Sequence, residues 1–143
     1  MYKSLSQHFE EVIPLGPARI DKWVRWLLKL TGFIHLRLLG GEFNVFQSWI
    51  LSKHYAKQFD KKIANLDLDV IYSPKSMTSM VNLKSKLPIC FSSDTSFSQI
   101  SNYYESHSRF STLSNKISDY LERKAIHKST YLAYTSNLSL IHI

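Results

Sequence analysis

Residues 69–104 constrain the fold more than any other part of the chain, because two short apolar runs there are separated by an amphipathic segment. The first run, residues 70–72, is β-branched and aromatic and stops at Ser73-Pro74, as a buried strand does where it enters a loop. The second run, residues 89–91, follows a proline, which cannot continue a helix. The stretch therefore predicts a strand, a helix and a second strand.

The predicted helix covers residues 76–87, where apolar side chains recur at spacings typical of a helix packed on a sheet: Met77, Met80, Val81, Leu83 and Leu87. A crossover of this size joins parallel strands and is almost always right-handed. We therefore expect both strands to deliver their carboxyl ends to one edge of an open sheet, which is where ligands bind in α/β folds.

Small polar residues follow both predicted strands, and a tyrosine pair follows the second. These candidate site residues are Ser73, Pro74 and Ser76, then Ser93, Asp94 and Thr95, and finally Tyr103 and Tyr104. Serine, threonine and aspartate also cap helices where nothing binds, so a purely local role is the alternative. For the tyrosines, a stacking platform for a sugar and burial in the core are both open interpretations.

Taken in order, these segments resemble the amino-terminal domain of bacterial glycosyltransferases of family 4. The resemblance covers residues 9–136 and rests on Asp-Val-Ile-Tyr-Ser-Pro, Lys-Leu-Pro-Ile-Cys-Phe-Ser-Ser-Asp-Thr-Ser-Phe, the Tyr-Tyr pair, Glu122-Arg123 and Thr135-Ser136. Members of this family are two-domain retaining enzymes with the GT-B fold. The resemblance implies an α/β fold with a Rossmann-like open, mostly parallel sheet and flanking helices, here an incomplete half of a GT-B enzyme.

The resemblance also implies a function. Residues 1–137 are expected to form a partial acceptor-side domain of an enzyme that transfers a sugar from a nucleotide-sugar donor to a glycan, lipid or other acceptor. In the family the second domain holds the donor through a Glu-x7-Glu pair, and no two glutamates of this chain are eight residues apart. We therefore expect a truncated glycosyltransferase that is inactive alone, with the candidate residues lining the acceptor side. Asp94 is expected to orient an acceptor hydroxyl or to form a polar wall of the cleft.

Both ends of the chain carry expectations of their own. The first strand of such a domain, with its glycine-rich loop, is expected before residue 11 and is not found there. Residues 138–143, Leu-Ser-Leu-Ile-His-Ile, match what one frame of a transposon-derived sequencing adapter encodes, and we expect them to be a non-native tail.

The net charge of +7 favours anionic partners, which leads to an alternative function. This alternative is a non-catalytic Rossmann-like domain that binds an anion or a membrane surface. In residues 20–39, aromatic and aliphatic side chains alternate with cations such as Arg25 and Lys29. We favour a core helix with solvated cations, interrupted at Gly32, and keep a basic helix lying on a membrane surface as the other interpretation.

Several other classes of function are not supported. The single cysteine, Cys90, is expected to be buried in a strand, which favours a reducing, cytoplasmic compartment, with peripheral contact at the inner face of the membrane as an option. No zinc-ligand spacing occurs among the histidines, so we expect no metal or cofactor. Nucleic acid is not an expected partner, since the aromatics of residues 49–63 lie on an apolar stripe with the lysines mostly opposite.

Patterns elsewhere predict the remaining elements. Besides the helix over residues 20–39 and its end at Gly40-Gly41, we expect a helix over residues 49–63 and another over residues 113–125. Short strands are expected at residues 11–15 and 130–136. Residues 43–46 alternate as a strand does, whereas the family resemblance implies a turn there that leads into a helix.

Overall fold

The computed structural model describes residues 5–75, 77–97 and 109–134. In chain order they form helix α1 (Lys22–Leu38), the 3₁₀ helix η1 (Val45–Gln47), helix α2 (Trp49–Ile63), strand β1 (Ile71–Pro74), helix α3 (Met77–Met80), strand β2 (Ile89–Ser93), helix α4 (Thr112–Lys128) and strand β3 (Tyr131–Tyr134). The strands form one open sheet in the order β1-β2-β3, and both neighbouring pairs are parallel. The predicted α/β fold with a Rossmann-like open parallel sheet is confirmed.

One face of the sheet carries the main hydrophobic core. Ile71, Ile89 and Phe91 lie on this face and are at most 8 % exposed. They pack against α2, α3 and α4 through Ala56, Ile63, Met77, Met80, Leu121 and Ala125. Burying each large apolar side chain contributes roughly 1.5–3 kcal/mol, so this layer supplies most of the favourable folding energy.

The opposite face of the sheet is open over the described residues. Tyr72 and Tyr131 lie there and are 37 % and 63 % exposed. Cys90 shares this face and is half-buried, so the prediction that it is a buried core thiol is wrong. Strand side chains alternate between faces, and Ile89 and Phe91 on either side of Cys90 take the core positions. Parallel sheets ordinarily have both faces covered. The described residues therefore form an incomplete Rossmann-like arrangement.

Helix α1 forms where the sequence predicts it, but its environment differs from the prediction. It runs without interruption through Gly32, where an added Cβ would meet nothing within 4 Å. Gly40 at φ +65° follows its end, as the predicted stop requires. Of its residues only Val24, Leu28 and His35 are buried. The interpretation of α1 as a core helix is therefore wrong, because only a narrow stripe of it contacts the rest of the protein.

The segment after β1 is less helical than predicted. Instead of a helix over residues 76–87, α3 spans one turn, and the chain then continues irregularly to β2. The carboxylate of Asp60 accepts the Lys84 amide at 2.9 and 3.2 Å, which ties the segment to α2. Met80, Val81 and Leu83 are nevertheless buried. Their spacing reflects burial in a short, irregular crossover and not a long helix.

Two predicted strands are absent from the described residues. Residues 11–15 are extended, but the carbonyl of Leu15 accepts from Lys62 of α2 at 2.6 Å and the segment joins no sheet. Residues 43–46 form no strand but enter η1 before α2, which agrees with the other expectation for this region, because the side chain of Asn44 accepts the Gln47 amide at 3.3 Å and caps a 3₁₀ turn. In both places local polar contacts override the apolar alternation.

The other predictions are confirmed within the described ranges. Helix α2 matches residues 49–63, and α4 extends the predicted helix by one residue at its start and three at its end. Strand β3 covers Tyr131–Tyr134. Residues 98–108 and 135–143, the second of which includes the predicted tail, lie outside the described residues.

Candidate functional site

The carboxyl ends of β1 and β2 lie side by side at one edge of the sheet, here called the rim. Pro74 pairs with Ser92, and Ser73 pairs with Phe91, in the parallel register. Ser93 and Asp94 follow directly along β2. The structure therefore brings Ser73, Pro74, Ser93 and Asp94 to the same edge, as the predicted crossover requires.

Lys75 connects the two strand ends. Its amide donates to the carbonyl of Ser92 at 2.7 Å, which extends the β1–β2 ladder by one residue. Its ammonium group forms an ion pair with the carboxylate of Asp94, and both side chains are more than half exposed. Lys75 also has φ +52°, in the left-handed region that side chains other than glycine rarely adopt. The rim thus contains a cation and a carboxylate that are in contact and reachable from solvent.

The hydroxyl groups of the rim bond within the turn after β2. Ser93 Oγ donates to the carbonyl of Thr95 at 3.0 Å, and Thr95 Oγ1 donates to the carbonyl of Ser96 at 3.3 Å. These bonds support the alternative that Ser93 and Thr95 serve the local turn. They also fix the position of Asp94, which lies between the two residues.

Glu122 of α4 binds the end of this turn through its carboxylate. Both of its carboxylate oxygens accept the amide of Phe97, at 2.8 and 2.9 Å, and its side chain is largely buried. A carboxylate at this position satisfies an amide that would otherwise lose its hydrogen bond on burial. The turn bearing Asp94 is therefore anchored to α4 by a contact between residues far apart in the sequence.

Tyr134 lies at the end of β3, opposite Ser93 in the register. Its ring contacts the Phe91 ring edge-on, with centroids 6.5 Å apart. Burial, together with the negative charge of Glu122, raises the pKa of the Tyr134 hydroxyl to about 12. That hydroxyl is buried and has no hydrogen-bond partner among the described residues. The third strand thus contributes a neutral phenol beside the turn.

A cavity of about 930 Å³ lies on the open side of β1. Its walls include all four residues of β1, the ends of α2 and α3, and the amino-terminal segment over residues 8–16. Ser73 and Pro74 line it, so the cavity reaches the rim. The edge of the sheet at β1 therefore borders an open cleft, and no further strand pairs with β1 among the described residues.

The sequence identified only part of this arrangement. Ser76, Tyr103 and Tyr104 lie outside the described residues, and Thr95 is placed in the turn beside Asp94. Lys75, Glu122 and Tyr134 were not predicted as site residues. Lys75 could have been found from its position directly after the first strand, whereas Glu122 gives no local signal because its role depends on a distant amide.

Two further observations bear on the kind of site. Within the described ranges, no three His, Cys, Asp or Glu side chains lie close enough together to hold a metal ion. None of the helices described has the length and apolar character needed to cross a membrane.

The fold and the rim define a class: an α/β domain whose parallel strands present polar loops at their carboxyl edge. Comparison of the chain with protein-family models, with curated proteins and with solved structures found no match. Any more specific function is therefore a proposal that depends on the rim itself.

Proposed function

We propose that this chain is the acceptor-side half of a retaining glycosyltransferase with the GT-B fold, similar to the enzymes of family 4. Its donor would be a nucleotide sugar held by a second domain, and its acceptor a glycan or a lipid-linked sugar. By itself the half transfers no sugar. Nucleic acid is not a proposed partner.

The observation that carries this proposal is the ion pair between Lys75 and Asp94 at the edge where two parallel strands end. A sugar hydroxyl both donates and accepts hydrogen bonds, so an adjacent carboxylate and ammonium group can hold one from two sides. Hydrogen bonds to charged groups are among the stronger polar contacts in proteins. The exposed position of both side chains leaves them within reach of an acceptor.

Asp94 would act by orientation and not as a proton acceptor in the chemical step. Transfer forms a bond between an acceptor oxygen and the anomeric carbon, while the bond from that carbon to the donor phosphate breaks. Positioning the oxygen supplies much of the rate, because it replaces an encounter in solution by a bound geometry. Glu122 and the bonds around Ser93 and Thr95 keep the loop of Asp94 in place.

The open surfaces of the sheet support a half-enzyme. The face bearing Tyr72 and Tyr131 is exposed over the described residues, and the cavity borders the free side of β1. A self-contained anion-binding domain, the alternative, would be expected to cover its parallel sheet on both faces.

A direct test is titration of the isotope-labelled chain with free monosaccharides and, separately, with UDP-glucose, followed by amide NMR. We expect glucose, mannose, galactose or N-acetylglucosamine to shift the amide signals of Lys75 and Asp94, and UDP-glucose to shift none of them more than its sugar does. Asp94→Ala should weaken sugar binding on the order of tenfold, the effect of a charged hydrogen bond. Asp119→Ala is the matched control, because Asp119 also forms an exposed ion pair, with Arg123 at 2.9 Å.

Two results would count against the proposal. Binding of UDP-glucose at the rim in preference to free sugars would identify a donor site or a nucleotide-binding domain. Release of UDP from UDP-glucose by the purified chain would show that the half is catalytically competent alone.

A further inference from the structure

Helix α1 exposes several apolar side chains to solvent. Trp26, Leu30 and Phe33 are 65 %, 41 % and 58 % exposed and follow one another at helical spacing along one side. We call these three residues the outer stripe. The buried residues Val24 and Leu28 lie on the other side of the same helix, in a small cluster with Phe43 and Leu51. An apolar stripe of this length on the outside of a helix normally marks a surface that binds something.

Further apolar side chains widen the exposed surface. Trp23 is 62 % exposed, Ile34 42 % and Leu36 59 %. Two of the three tryptophans of the chain are therefore largely exposed on one helix. Tryptophan prefers the boundary between water and the hydrocarbon of a bilayer, where its ring is buried and its N–H group remains hydrated.

The charges on α1 all have the same sign. The helix contains Lys22, Arg25, Lys29 and Arg37 and no aspartate or glutamate. At 100° per residue, Lys22 and Lys29 lie beside Phe33 and Trp26 on the helix surface. The guanidinium of Arg37 lies 5.7 Å from the centre of the Phe33 ring. Cations thus flank one side of the outer stripe, and Arg37 adds a cation at its carboxyl end. A partner that complements this surface is anionic as well as apolar.

We infer that α1 docks on an anionic phospholipid surface, with the outer stripe inserted among the acyl chains and its lysines and arginines at the headgroup phosphates. A bilayer matches this surface because its phosphates are mobile and can meet cations at any position around the stripe. Lys29 lies near the middle of the helix and Arg25 one turn before it, so α1 lies in the membrane plane and does not cross it. The inference is independent of the proposed function, since no rim residue belongs to α1.

Vesicle sedimentation of the full chain tests this inference. Vesicles of phosphatidylcholine with roughly 30 % phosphatidylglycerol should bind the chain, and vesicles of phosphatidylcholine alone should bind it much less, because each cation near an anionic surface strengthens binding severalfold. Binding should also weaken as salt is raised. In a Trp49→Phe variant the tryptophan fluorescence comes only from Trp23 and Trp26, and it should shift to the blue on binding.

Two double variants separate the contributions of charge and apolar contact. Lys22→Gln/Lys29→Gln should lower affinity for the anionic vesicles on the order of tenfold to thirtyfold. Trp26→Ser/Phe33→Ser should lower it on the order of tenfold or more. The matched controls are Lys53→Gln/Lys57→Gln on α2 and Phe46→Ser in η1, whose side chains are also exposed. Circular dichroism should show that each variant is folded.

Three outcomes of the vesicle experiments would overturn the inference. In the first, the chain binds neutral and anionic vesicles equally well, and in the second it binds no vesicles. In the third, the control variants lose as much vesicle binding as the α1 variants do. A dimer in sedimentation equilibrium that dissociates in Trp26→Ser/Phe33→Ser would also overturn it, and would assign the outer stripe to contact between two copies of the chain.

Discussion

The ammonium group of Lys75 and the carboxylate of Asp94 are in contact, although the two residues directly follow different strands. Neither strand end alone would form a charged pair, so the contact exists only because β1 and β2 are parallel neighbours in this register. The backbone of Lys75 adopts φ +52° at the same point. The rim therefore combines an exposed ion pair with an unfavourable backbone conformation.

This combination predicts a difference between two substitutions at one position. Lys75→Gly and Lys75→Ala both remove the ion pair, but only glycine adopts the left-handed conformation without cost. That conformation costs roughly 1–2 kcal/mol for other residues. The free energy of unfolding, measured with urea, should therefore be about 1 kcal/mol higher for Lys75→Gly than for Lys75→Ala. The loss of the exposed ion pair itself should cost less than about 1 kcal/mol. Equal stability of the two variants would contradict the left-handed conformation of Lys75.

A second prediction concerns Glu122. Glu122→Ala removes the acceptor of the buried Phe97 amide and should lower the free energy of unfolding by about 1–3 kcal/mol, measured by urea denaturation. Glu122→Gln keeps an acceptor oxygen and should cost less. A stability loss in Glu122→Ala no larger than in the exposed Asp119→Ala would argue against the anchoring of this turn.

The same residue should affect the titration of Tyr134. The pKa of Tyr134 is raised to about 12 first by burial and then by the charge of Glu122. Glu122→Gln removes that charge and should therefore move the Tyr134 pKa down, while burial keeps it above its ordinary value of 10.0. Ultraviolet titration, with Tyr134→Phe subtracted to isolate its signal, measures this. An unchanged Tyr134 titration in Glu122→Gln would show that the two groups do not interact.

Burial of His35 should make the stability of the protein depend on pH. Its Nδ1 lies 2.6 Å from Ser111 Oγ in a buried contact, and burial lowers the pKa of the ring below its ordinary value of 6.5. The unfolded chain therefore binds this proton more readily than the folded chain does. The His35 contribution to stability is complete above pH 6.5 and is lost as the pH falls from there toward the lowered pKa of the folded state.

Urea unfolding at several pH values tests this expectation. The free energy of unfolding should decrease below pH 6.5 in the natural chain and should decrease less in His35→Gln. His127→Gln is the control, because His127 lies on the exposed surface of α4. If His127→Gln reduces the pH dependence of the unfolding free energy as much as His35→Gln does, that dependence does not arise from His35.

Substitution by alanine should have opposite effects on stability at two glycines, Gly41 and Gly32. A Cβ at Gly41 would lie 2.6 Å from the backbone nitrogen of Ser111, where Glu42 forms its bridge with Phe110. Gly41→Ala should therefore destabilise the protein by roughly 1–3 kcal/mol, because the backbone must move. Gly32→Ala meets nothing within 4 Å and should stabilise α1 by roughly 0.5–1 kcal/mol. Thermal melts of both variants give the comparison.

The sequence predicted the parts of the fold that depend on short-range pattern. The strands around Ile71 and Ile89 were recognisable because apolar runs end at turn-forming residues, and parallel order followed from the length of the crossover. This was enough to place Ser73 and Asp94 at one edge. It was not enough to place Lys75 in a left-handed conformation, because a lysine does not signal that conformation.

Features that depend on distant contacts were not predictable in this way. The helix expected over residues 76–87 shortens because the Asp60 carboxylate takes the Lys84 amide, and nothing near Lys84 indicates that contact. Similarly, the apolar residues of α1 match a core helix in composition. Only the three-dimensional structure shows that Trp26 and Phe33 face away from the buried residues.

The half-buried thiol of Cys90, at the centre of the open face of the sheet, has a practical consequence. Because it is the single cysteine, a small environment-sensitive dye attached there would label one known position in the middle strand. Its emission would respond to whatever comes to lie over that face, so one labelled preparation could screen candidate companion domains without disturbing the rim or the outer stripe.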